Sequence, residues 1–231
     1  MIFIDPKLWQ VKAGYYPVFS KNSWADIIAA CQSGQVPDTW VADGSCYKDM
    51  LIGGKNYRID IIGKNHDTYA AGGTAPLTFQ MHDCYGTPYQ MNSSNTNSGG
   101  WTNCAMRSTH LPAILALMPA EVQAAIKEVQ KKTCAGSQSS SIQATNDKLF
   151  LLSEIEIFGR TIYSFAGEGK QYAYYQAGNS KVKNRSGSAG VWWERSPGSS
   201  TSTGFCYVLS DGSAAAGVAI SSCGVAFGFC F

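Results

Sequence analysis

Apolar side chains near the start of the chain follow the spacing of a helix. They recur at positions i, i+3, i+4 and i+7, namely Trp24, Ile27, Ile28 and Cys31. Asn22 or Ser23 provides a cap before this stripe, and Gly34 provides a stop after it. The spacing therefore predicts a short amphipathic helix.

The pattern changes to short β-rich runs between residues 41 and 85. The runs DMLIGG, YRIDIIG and APLTFQMHD are separated by glycine and aspartate, which predicts a meander of antiparallel strands. After the loop SSNTNSGG, residues 101–132 read as two consecutive helices divided at Pro119. Their apolar stripe predicts packing on the sheet and consists of Leu115, Met118, Val122, Ile126 and Val129.

The second half of the chain is predicted to contain a polar loop followed by strands. The run SQSSSIQATN (137–146) reads as the loop, and DKLFLLSEIEIFG (147–159) reads as a strand. In GFCYVLSDG, alternation places Cys206 and Val208 on one side and Tyr207, Leu209 and Asp211 on the other. Asp211-Gly212 then predicts a hairpin turn into SAAAGVAI.

Composition favours a globular, loop-rich domain over a helical bundle. Charged residues are 15% of the 231 residues, aromatic residues are 12%, and 24 residues are glycine. Neither an internal repeat nor a linker divides the chain, so we expect one domain over 1–231, with residues 1–21 as a lead-in segment. The expected fold class is α+β, with short antiparallel strands and two to three helices.

Charge and hydropathy argue against two classes of partner. The net charge is +2, and the thirteen Lys and five Arg form no basic run, so we expect no nucleic-acid binding. The N-terminal MIFIDPKLWQVKAGYY lacks the basic and apolar regions of a signal peptide, and no later run is apolar enough for a membrane span. We therefore expect no signal peptide in this chain and no membrane insertion.

The chemistry-bearing residues do not form a recognised catalytic motif. His66-Asp67, His82-Asp83 and His110 offer imidazoles and carboxylates, but adjacent side chains diverge in a strand, and no hydrolase, phosphate-loop or metalloprotease spacing occurs. We expect His66 and Asp67 to fix a loop. The eight cysteines contain no C-x-x-C pair and are expected to be reduced and structural. The sequence thus predicts no catalytic residue, no metal and no cofactor.

Seven runs resemble a family of uncharacterised domains of bacterial surface and phage structural proteins. In order along the chain they are IIGKNHD, APLTFQMHDC, MNSSNTNSGGW, AMRSTHLPAILALMP, DKLFLLSEIEIFG, GEGKQYAYYQ and WWERSP with GFCYVLSDG and GVAFGFCF. The resemblance covers the chain from about Trp24 to the last residue. The C-terminal half is similar to the C-type-lectin-like fold of formylglycine-generating enzymes and of the variable proteins of diversity-generating retroelements. This resemblance implies a C-type-lectin-like fold and a binding function.

Such variable proteins display a mutable C-terminal surface, which here corresponds to residues 191–231. Adenine-directed mutagenesis of an AAC codon cannot produce Lys, Glu, Gln, Trp or Met, and none of these occurs between Gly198 and Cys223. A glycine- and serine-rich pair of strands explains the same composition without mutagenesis, so both interpretations stay open. The ligand-binding positions implied by the resemblance are Glu194, Ser199, Ser200, Thr201, Ser202, Thr203, Tyr207, Leu209, Asp211, Ser213, Ala215 and Ile220.

The resemblance also implies a partner and a location. We expect binding to a host-surface protein or glycan receptor, from a phage tail or a bacterial cell surface, with homo-oligomerisation left open. Tyr207 is the expected energetic anchor. Glu194 and Phe227 depart from the family pattern, which predicts that both are exposed variation.

The surrounding frame is expected to be structural. Trp192 and Trp193 should point to opposite sides of a strand, and Arg195 should hold backbone carbonyls or a carboxylate such as Glu154 or Glu156. Two alternatives remain. One is an oxidase like the formylglycine-generating enzymes, which would use cysteines among Cys206, Cys223 and Cys230. The other is a structural virion or surface module whose C-terminal face is buried in an oligomer.

Overall fold

The computed structural model describes residues 14–231 and shows a mixed α and β architecture. Helices account for about 20% of the residues and strands for about 33%. The α-helices, all short, are α1 Trp24–Ser33, α2 Gly100–Asn103, α3 Leu111–Leu115, α4 Ala120–Ala125, α5 Glu154–Phe158 and α6 Ala173–Gln176. A 3₁₀ turn precedes α1 and a π-helical turn precedes α3. There are thus more helices than the two to three predicted. Part of the predicted lead-in, residues 1–13, lies outside the described residues.

The strands form four small antiparallel sheets. They are β1 Tyr47–Ile52, β2 Lys55–Lys64, β3 Leu77–Met81, β4 Val129–Gly136, β5 Ser139–Asp147, β6 Lys183–Arg185, β7 Ser188–Gly190, β8 Trp192–Pro197, β9 Gly204–Val208, β10 Ala214–Val218 and β11 Gly228–Cys230. The largest sheet has the order β1-β2-β3-β11, and a three-stranded sheet has the order β10-β9-β8. Strands β4 and β5 form one pair, and β6 and β7 another.

The predicted first helix and meander are confirmed. Ser23 caps α1 in a capping box with Asp26, and Gly34 ends the helix with a φ of 68°. Strands β1, β2 and β3 follow as consecutive antiparallel neighbours. The end of the chain joins this sheet, because Phe229 of β11 pairs with Phe79 of β3. The two rings stack 5.2 Å apart in a buried aromatic cluster that includes Trp24.

Three predicted elements differ in the structure. The second predicted helix ends at Ala125, and Val129 begins a strand whose burial alternates with a period of two. The predicted loop 137–146 is instead the turn and strand β5, joined to β4 through Ser137 and Gln138, both with positive φ. This strand is polar because most of it is exposed in a two-stranded ribbon. The turn lacks the Asn-Gly signal of such hairpins.

The third difference concerns residues 147–159, predicted as one strand. The segment is strand-like only as far as Phe150, which bridges Gly228, and α5 then begins at Glu154. Ser153 and Glu156 form a capping box at its start, and Gly159 ends the helix with a φ of 71°. The local capping residues therefore override the β-branched composition of this segment.

Candidate ligand-binding face

The predicted binding residues lie along one hairpin and the loops at its two ends. Strands β9 and β10 pair antiparallel, with Tyr207 opposite Ala215. Cys206 and Val208 are fully buried on one side, whereas Tyr207 is partly exposed on the other, as the alternation predicts. Eleven of the twelve predicted positions are partly or fully exposed. We call these eleven the C-terminal face: Ser199, Ser200, Thr201, Ser202, Thr203, Tyr207, Leu209, Asp211, Ser213, Ala215 and Ile220.

The hairpin turn forms at the predicted Asp211-Gly212. Gly212 has a φ of 85°, and its N–H donates to the carbonyl of Leu209 at 2.9 Å. The Asp211 carboxylate accepts hydrogen bonds from the Ser213 N–H at 2.9 Å and the Ser213 hydroxyl at 2.6 Å. The turn is therefore closed by its own side chains. These bonds lower the pKa of Asp211.

A loop of five small polar residues, 199–203, lies at the other end of the hairpin. The buried Asn97 amide donates to the carbonyls of Thr201 at 2.9 Å and Gly204 at 2.7 Å. The Ser202 carbonyl accepts from the Asn97 N–H at 2.8 Å. The backbone of this loop is consequently fixed from below, while the Ser200 and Ser202 residues stay exposed.

Tyr207 is held in place by its own surroundings. Its ring meets Trp193 edge to face with centroids 5.6 Å apart. The ring also lies against Gly217 of the neighbouring strand, where a Cβ atom would overlap it. The absence of a side chain at Gly217 thus makes room for the ring, and Tyr207 presents a preoriented amphipathic surface.

The prediction that Glu194 and Phe227 are exposed is wrong. Both are 0% exposed. Glu194 lies within the register shift between β8 and β9, on the inner side of β8 and close to Cys206. The side chain of Phe227 does not reach the surface, because this residue leads into β11 of the largest sheet. Neither residue belongs to the C-terminal face.

The predicted frame is confirmed. Trp192 and Trp193 are both buried, and their indole N–H groups donate in different directions, to the carbonyls of Lys181 and Tyr89. Arg195 forms a bidentate pair with Glu156, at 2.5 Å and 2.9 Å. It also donates to the Leu151 carbonyl at 2.8 Å and the Glu168 carbonyl at 2.7 Å. The β8 strand is therefore anchored through a fully buried guanidinium.

Asp67, a candidate for loop fixing, belongs to the same buried network. Its carboxylate accepts from Lys131 at 2.5 Å and from Thr78 at 2.6 Å, and Tyr172 donates to it at 2.9 Å. Burial alone would raise the pKa of Asp67, but the Lys131 ammonium and the hydrogen bonds lower it to about 2. Lys131 also donates to Glu156, so every strong donor here has an acceptor. This arrangement is structural.

The three histidines do not converge. His66 stacks on Tyr172 with centroids 4.0 Å apart, and His110 stacks on Tyr89 at 4.3 Å. Burial lowers the pKa of both imidazoles. His82 hydrogen-bonds Asp60 at 2.6 Å. Each imidazole has a separate partner, so no pair of histidines forms a site within the described residues.

All eight cysteines lie in the described part of the chain, where each is a buried free thiol. Burial raises the pKa of several of these thiols, for example to about 12 at Cys31 and to about 11 at Cys223. Cys206 lies in β9, Cys230 in β11, and Cys223 in the connection between β10 and β11. High pKa values and burial keep such thiols unreactive at neutral pH.

One cluster was missed by the sequence analysis. Carboxylate oxygens of Glu154 and Glu194 and the Sγ of Cys206 all lie within 4.8 Å of one another. The three residues come from α5, β8 and β9, and all are fully buried. Nothing in the spacing of these three residues along the chain indicates that they meet, and Glu194 was expected to be exposed because it departs from the family pattern.

Clefts occur away from the C-terminal face. One of about 1010 Å³ lies where the end of α1 meets the loop around Tyr69 and the final Phe231. Another of about 380 Å³ lies over the buried network at His66, Lys131 and Lys170. No residue of the C-terminal face lines either of these two clefts.

A family model described as a domain of unknown function, DUF6273, matches residues 77–230. No curated protein and no solved structure matches the chain. Among the described residues, no helix is both long and apolar enough to span a membrane. The family match covers well over half of the 231 residues and includes the whole C-terminal face, so the chain belongs to the DUF6273 family.

Proposed function

We propose that this protein binds a macromolecular ligand through its C-terminal face. The observation that carries the proposal is the contrast between this face and what lies beneath it. Eleven residues, most of them small or polar, are partly or fully exposed along one hairpin and its end loops, while β8 behind them is buried from Trp192 to Pro197. Variable contact residues on a fixed frame are the usual arrangement of a recognition surface.

The fixed frame lowers the cost of binding. The 199–203 loop is tied to Asn97, the turn is closed by Asp211, and Tyr207 is wedged between Trp193 and Gly217. Fewer rotamers and backbone conformations are therefore lost when a ligand binds. Tyr207 serves as the anchor, because a rigid ring contributes contact area and a hydroxyl at small entropic cost.

The finer proposal is that the fold is C-type-lectin-like and that the chain is the variable protein of a diversity-generating retroelement. Its ligand is then a host-surface protein or glycan, and its location is a phage tail tip or a bacterial cell surface. The sequence resemblance and the absence of Lys, Glu, Gln, Trp and Met from residues 198–223 support this proposal. The buried thiols do not favour the oxidase alternative.

Binding of the purified protein to a panel of intact bacterial strains and to a glycan array tests the proposal. Ser202→Arg places a long charged side chain on the face, and Ser141→Arg places the same side chain on the exposed β5. Both serines are exposed and neither side chain makes a hydrogen bond, so both variants should fold alike. We expect Ser202→Arg to reduce binding by at least tenfold and Ser141→Arg to leave it unchanged.

Tyr207→Ala, compared with Tyr47→Ala on β1, is the matching test of the anchor. Tyr47 is 42% exposed and lies in the four-stranded sheet. Loss of a central tyrosine typically costs about 2 kcal/mol or more of binding free energy, which is roughly a thirtyfold weaker affinity. Equal losses for the two alanine variants, or for the two arginine variants, would contradict a binding site on the C-terminal face.

A further inference from the structure

The buried interior beneath the three-stranded sheet contains more acids than bases. Five carboxylates are buried there, Asp67, Glu154, Glu156, Glu168 and Glu194, and two buried cations lie among them, Lys131 and Arg195. An unbalanced buried charge is costly, so the excess must be neutralised by protons or by a bound cation.

The partners of these carboxylates are unevenly distributed. Asp67 forms an ion pair with Lys131, and Glu156 forms an ion pair with Arg195. Glu154 accepts backbone N–H bonds from Ile162 at 2.8 Å, Tyr163 at 2.9 Å and Ser164 at 2.9 Å, and a bond from the Ser164 hydroxyl. One of its oxygens, Oε1, accepts only the single bond from Tyr163.

Glu168 is also satisfied, because Ser196 donates to one carboxylate oxygen and the Cys134 N–H to the other. Glu194 is different. Both of its oxygens are buried and neither has a hydrogen-bond partner within the described residues. Orphaned buried carboxylates of this kind are rare and indicate a group that the protein atoms alone do not complete.

The orphaned carboxylate faces two further ligating groups. Its oxygen, an oxygen of Glu154 and the Sγ of Cys206 lie within 4.8 Å of one another. Three different elements supply the three side chains: α5 supplies Glu154, β8 supplies Glu194 and β9 supplies Cys206. The cluster therefore converges by tertiary folding and not through adjacency in the chain.

We propose that Glu154, Glu194 and Cys206 bind one divalent cation, preferentially Zn²⁺. Zinc accepts thiolate and carboxylate ligands in tetrahedral sites, whereas Ca²⁺ and Mg²⁺ require six or more oxygen ligands and do not select thiolates. Bond lengths of about 2.0–2.3 Å place tetrahedral ligand atoms about 3.5 Å apart. Ligand atoms at most 4.8 Å apart reach this arrangement with shifts of roughly an ångström.

Binding exchanges protons for the metal. The cation displaces the proton of the Cys206 thiol and the proton held by Glu194, and both protons pass to solvent. Burial and the neighbouring Glu154 and Glu168 carboxylates raise the pKa of Glu194 well above its usual range, and burial likewise raises the pKa of Cys206. Affinity for the cation should therefore increase with pH. The site lies directly under the sheet that carries the C-terminal face, and its existence does not depend on the proposed binding function.

The test uses the full chain refolded from urea with Co²⁺ or Zn²⁺, because the three ligands are fully buried and the cation enters before the interior closes. Co²⁺ replaces Zn²⁺ and reports a thiolate ligand through a charge-transfer absorption band. We expect one Co²⁺ per chain with this band, displaced by one equivalent of Zn²⁺. Wild-type protein refolded with Zn²⁺ should also have a higher Tm than protein refolded with EDTA.

Three variants make the test specific. Cys206→Ser should abolish the charge-transfer band, while Cys104→Ser, which removes an equally buried thiol elsewhere, should retain it. Glu194→Gln is isosteric and should weaken Co²⁺ binding at least tenfold, and it should abolish the Zn²⁺-dependent shift in Tm. Circular dichroism verifies that each variant is folded. Absence of stoichiometric Co²⁺ or Zn²⁺ in the refolded wild type, or a charge-transfer band that persists in folded Cys206→Ser, would overturn the proposal.

Discussion

At the scale of single residues, the buried charges determine which side chains tolerate change. Arg195 and Glu156 form a fully buried bidentate pair that ties β8 to the start of α5. Burial alone would raise the pKa of Glu156, but the charges of Arg195 and Lys131 lower it, so this carboxylate stays ionised. Removing one partner leaves the other as an uncompensated buried charge, which is among the most costly changes in a protein interior.

Glu156→Gln should therefore lower the free energy of unfolding by about 3–5 kcal/mol. Chemical denaturation measures this loss. Glu121→Gln, at an exposed position in the first turn of α4, is the control and should change stability by less than about 1 kcal/mol. Similar stabilities for the two variants would show that the Arg195 pair does not support the frame.

Glu194 should affect stability in the opposite direction and in a pH-dependent way. Its pKa in the folded protein is raised above the value of 4.5 that an ordinary glutamate has. Above pH 4.5 the unfolded chain loses this proton first, so the metal-free protein loses stability as pH rises towards the folded pKa, by up to about 1.4 kcal/mol per pH unit. Glu194→Gln removes this loss.

In EDTA, the free energy of unfolding of Glu194→Gln minus that of wild type should consequently grow between pH 4.5 and pH 8. Glu121→Gln again provides the control, because the carboxylate that it removes is exposed. A difference that stays constant over this range would show that the folded Glu194 ionises normally.

At the scale of elements, local signals predicted some segments well and failed for others. The helix at Trp24–Ser33 was predictable because its cap, its apolar stripe and its terminal glycine agree. The hairpin of β9 and β10 was predictable because Asp-Gly follows an alternating run. In contrast, β5 was not, since a polar strand in a two-stranded ribbon has the composition of a loop.

The 199–203 loop shows how one element depends on another. The side chain of Asn97 links the 199–203 loop to the β4–β5 turn. Its NH₂ group donates to the carbonyls of Thr201 and Gly204, and its Oδ1 accepts from the Ser137 N–H at 2.8 Å. Asn97→Ala should remove these bonds, accelerate amide hydrogen exchange in residues 199–204 and cost about 1–3 kcal/mol of stability. Hydrogen exchange measured by mass spectrometry tests this.

Asn146→Ala is the matched control for Asn97→Ala. Asn146 is exposed on β5, and its side chain makes no hydrogen bond within the described residues. Exchange in residues 199–204 should therefore match that of the wild type. If Asn97→Ala also left this exchange unchanged, the loop would be fixed by contacts other than Asn97.

At the scale of the whole molecule, pairing between distant segments determines features that could not be predicted from the sequence. Phe229 of the last strand pairs with Phe79, 150 positions earlier, and Tyr69 donates to the Phe231 carbonyl at 2.6 Å. The exposed positions of the C-terminal face could be predicted from alternation within a hairpin. The burial of Glu194 could not, because it depends on the β8 bulge and on α5 packing beneath it.

The cysteines provide a test of the whole interior. Because every thiol is buried, native protein should show almost no reaction with a thiol reagent such as DTNB, and urea-unfolded protein should react at eight thiols without prior reduction. Intact mass before and after reduction should be identical. Fewer than eight thiols in the unfolded, unreduced protein would reveal a disulfide that the structure does not contain.

We propose that the C-terminal face is a diversified binding surface, and the DNA that flanks the gene tests this proposal. We expect a near-copy of the codons for residues 191–231 beside a reverse-transcriptase gene, differing from the coding copy only where the near-copy has adenine. Those differences should fall in codons of the eleven exposed positions and spare the buried Trp193, Glu194, Arg195 and Phe227. A missing near-copy, or differences concentrated in the buried codons, would show that the C-terminal face is not diversified in this way.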